Sequence, residues 1–386
     1  VGRTALFNDI KQELDAALAG TTGAAPPRPL NRRVSPWLAA SLLQKSIRRG
    51  QTQWAMAAAD HMLRIDPDRL WRRLLIIAFE DVGIANLQLI AQATAATQFR
   101  RTYEQRGMAA TAVHFMAKEL AASPKCRASD DSYTTIEGSS EISRFMQERF
   151  DWPLPDLMAC VMDSQIPIEE RTSALWLALG TQQKGVTGLP VRRGQPKATF
   201  DLMIDLGWPH TLVEIARAGY AKTGEIICAF IPLLLADWRS LDDVGDITCP
   251  SPQAPRWQVR DDAIPPLKTD DAFGIPLFAL DQFTREGQWA MRRFLQGPSE
   301  TARLVRNHIA VDERRSVFGL LLFYADSSLL KKRLVWTTGA DLRHRATAIV
   351  SARFGSDADL ILNQMRSDLP LLDAIRAEAA NTANSL

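Results

Sequence analysis

The run Gly180-Thr181-Gln182-Gln183-Lys184-Gly185-Val186-Thr187 is a near approach to a phosphate-binding loop. Its glycines have the spacing that lets backbone amides cradle phosphates, but Val186 stands where the loop needs a lysine. Without that ammonium nothing offsets the β- and γ-phosphate charge. The residues just ahead, 173–179, have a helical pattern rather than that of a strand. A loop that holds no nucleotide is the expectation. Leu233-Leu234-Leu235-Ala236-Asp237 imitates the apolar run and aspartate that hold Mg²⁺, but it lacks a following acid and abuts Pro232, so it reads as buried helix. His61, His114, His210, His308 and His344 lie far apart and none falls in a metal-ligand spacing. Cys126, Cys160, Cys228 and Cys249 form no CxxC, which predicts free thiols in a reducing cytoplasm.

Two acidic pairs remain. Glu137 and Glu141 are one helical turn apart, a spacing that suits acid–base work, but Thr134 to Glu137 reads as the opening of a helix, where acids favour the dipole. Glu80-Asp81 follows a strongly apolar helix and precedes Gly83, so it is expected to order a helix end or to pair with Arg72 or Arg73 at an interface. No Ser-His-Asp or Cys-His arrangement can be assembled. The expectation is a chain without catalytic residues, metal or cofactor. An enzyme built in the C-terminal half has one foothold, Asp281, Arg285 and Glu286 near Trp289, which a charged helix surface explains equally well.

Charge is uneven. Between Arg28 and Arg73 ten basic residues face three acids, whereas the whole chain carries only +2. Such a local excess attracts phosphates with a strong salt dependence, or else serves ion pairs between subunits. A second basic run, Lys331-Lys332-Arg333 with Arg343 and Arg345, borders Trp336, a combination compatible with stacking on an unpaired base.

The elements that position these residues read as helices. Leu6, Ile10, Leu14 and Leu18 step by four through 4–19, an amphipathic helix that either packs on the body or is offered to a partner; 20–29 is a linker. Ser35-Pro36 has the form of a helix cap followed by proline, and Asp66-Pro67 starts another helix. Helices are expected to stop at Gly50 and Gly83, with more over 86–106, 108–122, 157–162, 169–179, 198–206, 212–218 and 226–238. Beyond the proline-rich stretch 246–275 come 276–295, 301–308, 316–324, 328–335, 342–354 and 357–379, with strands suggested only at 257–259 and 334–336. The fold class is all-α: a multi-helix bundle or array with a second, largely helical domain. The divisions are 1–34, 35–150, 151–245, 246–275 and 276–386. No apolar run reaches the roughly 20 residues of a membrane span.

Three runs carry a family resemblance: Gln44-Lys45-Ser46-Ile47-Arg48-Arg49-Gly50, Ala78-Phe79-Glu80-Asp81-Val82-Gly83, and Leu120-Ala121-Ala122-Ser123-Pro124-Lys125-Cys126. In this order, with compatible gaps, they make residues 38–137 resemble the C-terminal assembly domain of the RarA/MgsA family, clamp-loader-branch AAA+ ATPases that include the Werner-helicase-interacting proteins. Gln44 and Arg49 depart from the family's usual residues, and the likeness fades beyond Tyr133. The resemblance implies a helical domain that oligomerises, with a tetramer expected, and work near DNA replication, recombination or repair. Residues 1–37 leave no room for the family's ATPase core, so an assembly domain parted from its motor is expected. Lys45, Arg48, Arg49, Arg72, Arg73, Glu80, Asp81 and Lys125 are the resulting nucleic-acid or interface candidates. The expected partners are further copies of the chain, DNA, and an AAA+ ATPase relative. The alternative is an oligomeric protein-binding module without DNA contact.

Overall fold

A computed structural model describes residues 3–20, 27–238, 258–354 and 358–384. Among them the chain is all-α, with one short ribbon of two strands. The expectations over 246–257, and that for Cys249, lie outside the described residues.

The first helix, α1 (Arg3–Ala19), buries Leu6, Phe7, Ile10, Leu14 and Leu18, so its four-residue stripe is packed on the body and not held out. Ser35 caps α2 (Pro36–Arg48), its side chain accepting from the Leu38 amide at 3.2 Å. After Gly50, whose φ is +68°, α3 (Thr52–Ile65) runs to Asp66, which caps α4 (Pro67–Ile77). Helix α4 does not simply end. It continues as a π-turn over Ala78–Val82 and stops at Gly83, φ +52°. There an added Cβ would lie 2.5 Å from the Cys126 carbonyl oxygen.

The single helix expected over 86–106 is broken at Phe99 into α5 (Leu87–Gln98) and α6 (Arg100–Gln105), followed by α7 (Ala109–Ala122). The helix containing Thr134 begins earlier than the sequence suggests, as α8 (Ala128–Gly138). Glu137 therefore sits in its last turn, where its carboxylate accepts from the Thr187 hydroxyl at 2.9 Å, and the capping role expected for it is not made. Glu141 opens the next helix, α9 (Ser140–Glu148). The chain continues through α10 (Leu154–Met162), α11 (Ile168–Leu179), α12 (Pro196–Asp205), α13 (His210–Thr223) and α14 (Ile227–Trp238). The loop Gly180–Thr187 thus follows a helix, not a strand. Its Lys184 ammonium lies 3.2 Å from Glu225.

In the C-terminal part, β1 (Val259–Asp261) is followed by α15 (Arg285–Gln296), α16 (Glu300–His308), α17 (Arg314–Leu322), β2 (Lys332–Leu334), α18 (Thr337–Ala352) and α19 (Ala358–Asn384). Two expectations fail here. The stretch 276–295 is a 3₁₀ turn and a loop before α15, because Thr284 caps the helix by accepting from the Gly287 amide at 3.1 Å. Asp281 thus precedes the helix instead of sharing its face with Arg285 and Glu286. The stretch 328–335 is not a helix: after a turn at Ser328 it runs into β2, which pairs antiparallel with β1. Its other edge is bonded to Lys125, whose amide donates to the Lys332 carbonyl at 3.0 Å and whose carbonyl accepts from the Leu334 amide at 2.9 Å.

One apolar core takes in residues from Leu6 to Leu280 together with Leu334, Leu342 and Ala380, and a second is built from α15 to α19. Helix α18 bridges them by packing on α8, where Gly138 leaves room for Ile349; a Cβ there would come within 2.6 Å of that side chain. No helix among the described residues is long and apolar enough to cross a membrane.

Leu14 is fully buried where α1 meets α5. Leu14→Ala is expected to cost about 2–5 kcal/mol, read as a lower urea midpoint; an unchanged midpoint would mean that α1 does not pack on the body in solution.

Candidate functional site: a buried junction of carboxylates and arginines

The π-turn presents Glu80 and Asp81 to the end of α2. Such one-residue expansions of a helix occur often at functional positions. Arg48 donates from Nε to Asp81 Oδ1 at 2.7 Å, from Nη2 to Glu80 Oε1 at 2.8 Å, and from Nη1 to the Ser327 carbonyl at 3.1 Å. Arg127 reaches the same carboxylates from the opposite side, bonding Asp81, Asp130 and, at 3.1 Å, Glu80. Gln44 completes the shell around Asp81 by donating to Oδ2 at 3.0 Å. The backbone joins in, since the Cys126 amide donates to the Asp81 carbonyl at 2.9 Å. The three runs singled out in the sequence therefore meet at one place, with Arg127 following directly on the third.

Next to this cluster lies a second. Lys45 bonds Asp281 at 2.8 Å and the Phe278 carbonyl at 2.6 Å. Arg49 pairs with Asp326, which sits on another π-turn (Phe323–Ser327) and also takes Arg376 at 3.2 Å. Arg376 reaches Asp373 at 3.0 Å. Asp281 and Asp326 lie more than 230 residues along the chain from the α2 bases they hold, Lys45 and Arg49. The reading of 28–73 as one exposed basic field is corrected accordingly: Lys45, Arg48 and Arg49 are buried and neutralised, while Arg64 and Arg69 pair with Asp60 and Asp66.

The electrostatics are those of a clasp. Burial works against the charged form of Asp81, but Arg48 and Arg127 outweigh it and hold the carboxyl below its ordinary range. Asp326 is held low in the same way by Arg376 and Arg49. Glu80 moves the other way, pushed up by burial and then by Asp81 beside it. Burial lowers the Lys45 ammonium to about 8 against the pull of Asp281, and the Lys125 ammonium to about 7. Lys125 donates to carbonyls, those of Ala121 at 3.1 Å and Ser123, and Asp81 pulls on its charge against burial and Lys332.

Glu80 forms part of the floor of a cleft of about 430 Å³, bordered by Trp37, Arg73, Tyr133 and Phe283. Of the candidate residues, Lys45, Arg48, Arg49, Asp81 and Lys125 are buried, and Arg72 and Arg73 stay at the surface. The partners expected for Glu80 and Asp81 are corrected as well. Arg72 bonds the Thr223 carbonyl at 2.7 Å, and Arg73 bonds Gln44 at 3.4 Å. Sequence reasoning missed Arg127 and Asp130, although they adjoin the third run. It singled out Asp281 only as part of a charged helix surface and had no signal for its pairing with Lys45, nor for Asp326 or Arg376. Among the described residues no group of three or more His, Cys, Asp or Glu is placed to hold a metal ion. His61 bonds the Val34 carbonyl at 2.8 Å, and His114 bonds Asp60 at 3.0 Å. With its carboxylates paired to guanidinium groups, the junction can orient and hold the helices that meet there.

Residues 57–150 match the family described as MgsA AAA+ ATPase C terminal. The segment is similar to the C-terminal domain of that AAA+ ATPase family, and it makes up about a quarter of the chain. The second and third runs lie within the match, and Gln44–Gly50 precedes it. No curated protein and no solved structure matches the chain.

Asp81→Asn keeps the shape but removes the charge that two buried arginines share. A loss of about 3–5 kcal/mol is expected in denaturant unfolding, and a loss under 1 kcal/mol would contradict the clasp. The lysines give a pH test. A lysine whose folded pKa is depressed destabilises the fold most below that value, because folding then buries a charge; the unfolded chain binds more protons between the folded and unfolded pKa, so stability rises with pH there. The wild type is expected to gain stability from pH 7 to 9 relative to Lys125→Met; parallel midpoints across that window would contradict the assignment to Lys125.

Proposed function

We propose that this chain, with an MgsA-type C-terminal domain at residues 57–150, is a non-enzymatic, self-assembling helical protein of DNA replication, recombination or repair. In this reading it forms oligomers through its helical domain and, by mixed assembly, tunes a related AAA+ ATPase. The family match carries the proposal. The buried junction supports it by holding α2, α4 and α8 in fixed relation, as an interface of defined shape requires.

The surface offers a place for a second copy. Trp37 and Phe283 are 54% and 64% exposed and border one cleft. The Arg69 guanidinium lies 4.3 Å from the Trp37 ring. An aromatic pair beside an arginine has the composition enriched at protein interfaces. The basic residues left exposed, Arg28, Arg32, Arg33 and Arg72, are the means of touching phosphates.

A second reading keeps the assembly and drops the DNA. It is favoured by the burial of Lys45, Arg48, Arg49 and Lys125, which takes most of the basic candidates out of reach of a phosphate.

Light scattering at micromolar concentration is expected to give a multiple of the chain mass, with Trp37→Glu/Phe283→Glu shifted toward the monomer. A strictly monomeric wild type would remove the assembly. Titration with single-stranded and duplex DNA then separates the two readings. Binding that weakens steeply with salt supports DNA contact, and silence at low salt supports the second reading.

A further inference from the structure

The side chains of the basic run at 331–333 and of Arg343 and Arg345 make no ion pair with the carboxylates of the junction, and folding sorts them. Arg345 leaves the group to pair with Glu169. Arg333, on β2, stands directly opposite Arg260 on β1. Like charges in that position repel. Arg343 from α18 and Arg366 from α19 enter the same recess, a concavity of about 330 Å³ behind the strand ribbon.

Four guanidinium groups there are answered by two carboxylates. Asp262 takes Arg260 at 2.7 Å and Arg333 at 3.2 Å, and Asp131 takes Arg343 at 3.2 Å. Arg366 bonds the Asn363 amide oxygen at 2.9 Å; among the described residues no carboxylate lies within salt-bridge distance of it, and Asp359 on the same helix offsets its charge only from farther off. Arg127 also touches the recess, but its charge is spent on Asp81, Glu80 and Asp130. The crowding registers on the groups themselves. Burial lowers the Arg333 guanidinium, and Arg260 and Arg343 push the same way against Asp262; burial and then Arg343 lower Arg366. Uncompensated positive charge held in a partly dry recess is what an anion would relieve.

Two further features give that anion a form. Helix α18 brings its first turn to the recess at Gly339, the next amide, that of Ala340, being bonded to the Trp336 carbonyl at 3.0 Å; the turn holds no acidic residue and no side chain caps it. Its amides and dipole favour a negative group at that end. Trp336 lines the recess too. A Cβ on Gly339 would lie 2.1 Å from the indole nitrogen, so the glycine is what lets the ring lie against that first turn as an aromatic wall.

We propose that this recess binds a phosphate group carried on a nucleobase-bearing unit, a free nucleotide or the phosphorylated end of a DNA strand, with the guanidinium groups on the phosphate and the Trp336 indole beside the base. The site goes beyond the assembly reading and does not depend on the oligomeric state.

Calorimetric titration of the full chain at low salt tests it, using ATP, inorganic phosphate, a 5′-phosphorylated thymidine dinucleotide and the same dinucleotide without its 5′-phosphate. ATP or the phosphorylated dinucleotide is expected to bind, the tighter of the two identifying the source of the phosphate, and the unphosphorylated dinucleotide is expected to bind far more weakly. Arg366→Gln, at a surface position with no ion pair to lose, is expected to weaken binding by roughly tenfold or more. Asp262→Asn removes a competing carboxylate and is expected to tighten binding, a gain that a merely structural role would not give. Arg101→Gln, exposed on α6 and outside the residues that line the recess, should bind as the wild type. No binding of any phosphorylated probe, wild-type affinity in both Arg366→Gln and Arg260→Gln, or an equal loss in Arg101→Gln would overturn the proposal. Inorganic phosphate binding as tightly as ATP and the phosphorylated dinucleotide would overturn the base contact.

Discussion

A carboxylate with no exposed surface, Asp81, is shared by two guanidinium groups from opposite sides, and much of the surrounding architecture serves to keep both in reach. A lone buried carboxylate would be intolerable, since desolvation costs several kcal/mol per ion before any partner answers it. Arg48 and Arg127 answer with charge, Gln44 with an amide, and the Cys126 backbone closes over the turn. Each donor imposes a condition. Helix α2 must end where Arg48 faces inward, helix α4 must widen into a π-turn, and Gly83 must take a left-handed φ so that the segment carrying Cys126 can approach. Removing one donor would leave the others holding an uncompensated group.

The same end of α2 ties the two apolar cores together. Arg48 turns toward Glu80 and Asp81 in the first core, while its neighbour Arg49 turns toward Asp326 and Arg376 beside the second. Lys45, one helical turn back, takes Asp281 from the connecting loop. Apolar side chains of equal volume could fill these spaces at similar stability. Charged partners add direction, because each base accepts only the acid placed for it. The cores are therefore fixed in relative orientation as well as in proximity, and the cleft beside Trp37 and the recess behind the strands, both lined from the two halves of the chain, inherit a defined shape.

Much of this was legible in the sequence, for physical reasons. The all-α class, the stripe of α1, the caps at Ser35 and Asp66 and the stops at Gly50 and Gly83 follow from periodicity and from residues whose conformational preferences act locally. Three runs in a fixed order pointed to the family-like domain, and they meet in space. What stayed hidden was non-local. Nothing within 28–73 discloses that Asp281 and Asp326 will neutralise its cations, so a local count of charges overstated the exposed field. Helix α8 is rich in Ser, Thr and Asp, weak helix formers that tertiary packing overrides. Strand β2 has no alternation to mark it, because it is made extended by partners on both sides.

That two-sided pairing has a consequence for how this protein meets others. With β1 on one edge of β2 and Lys125 on the other, the inner strand has no open row of amides and carbonyls to template another chain, and the outer strand is three residues long with Arg260 and Asp261 on it. Short, charged edges discourage cross-chain pairing. Backbone zippering is thus closed as a route of association for the ribbon, so recognition there falls to side chains and the specificity of any contact is written in residues that single substitutions can edit.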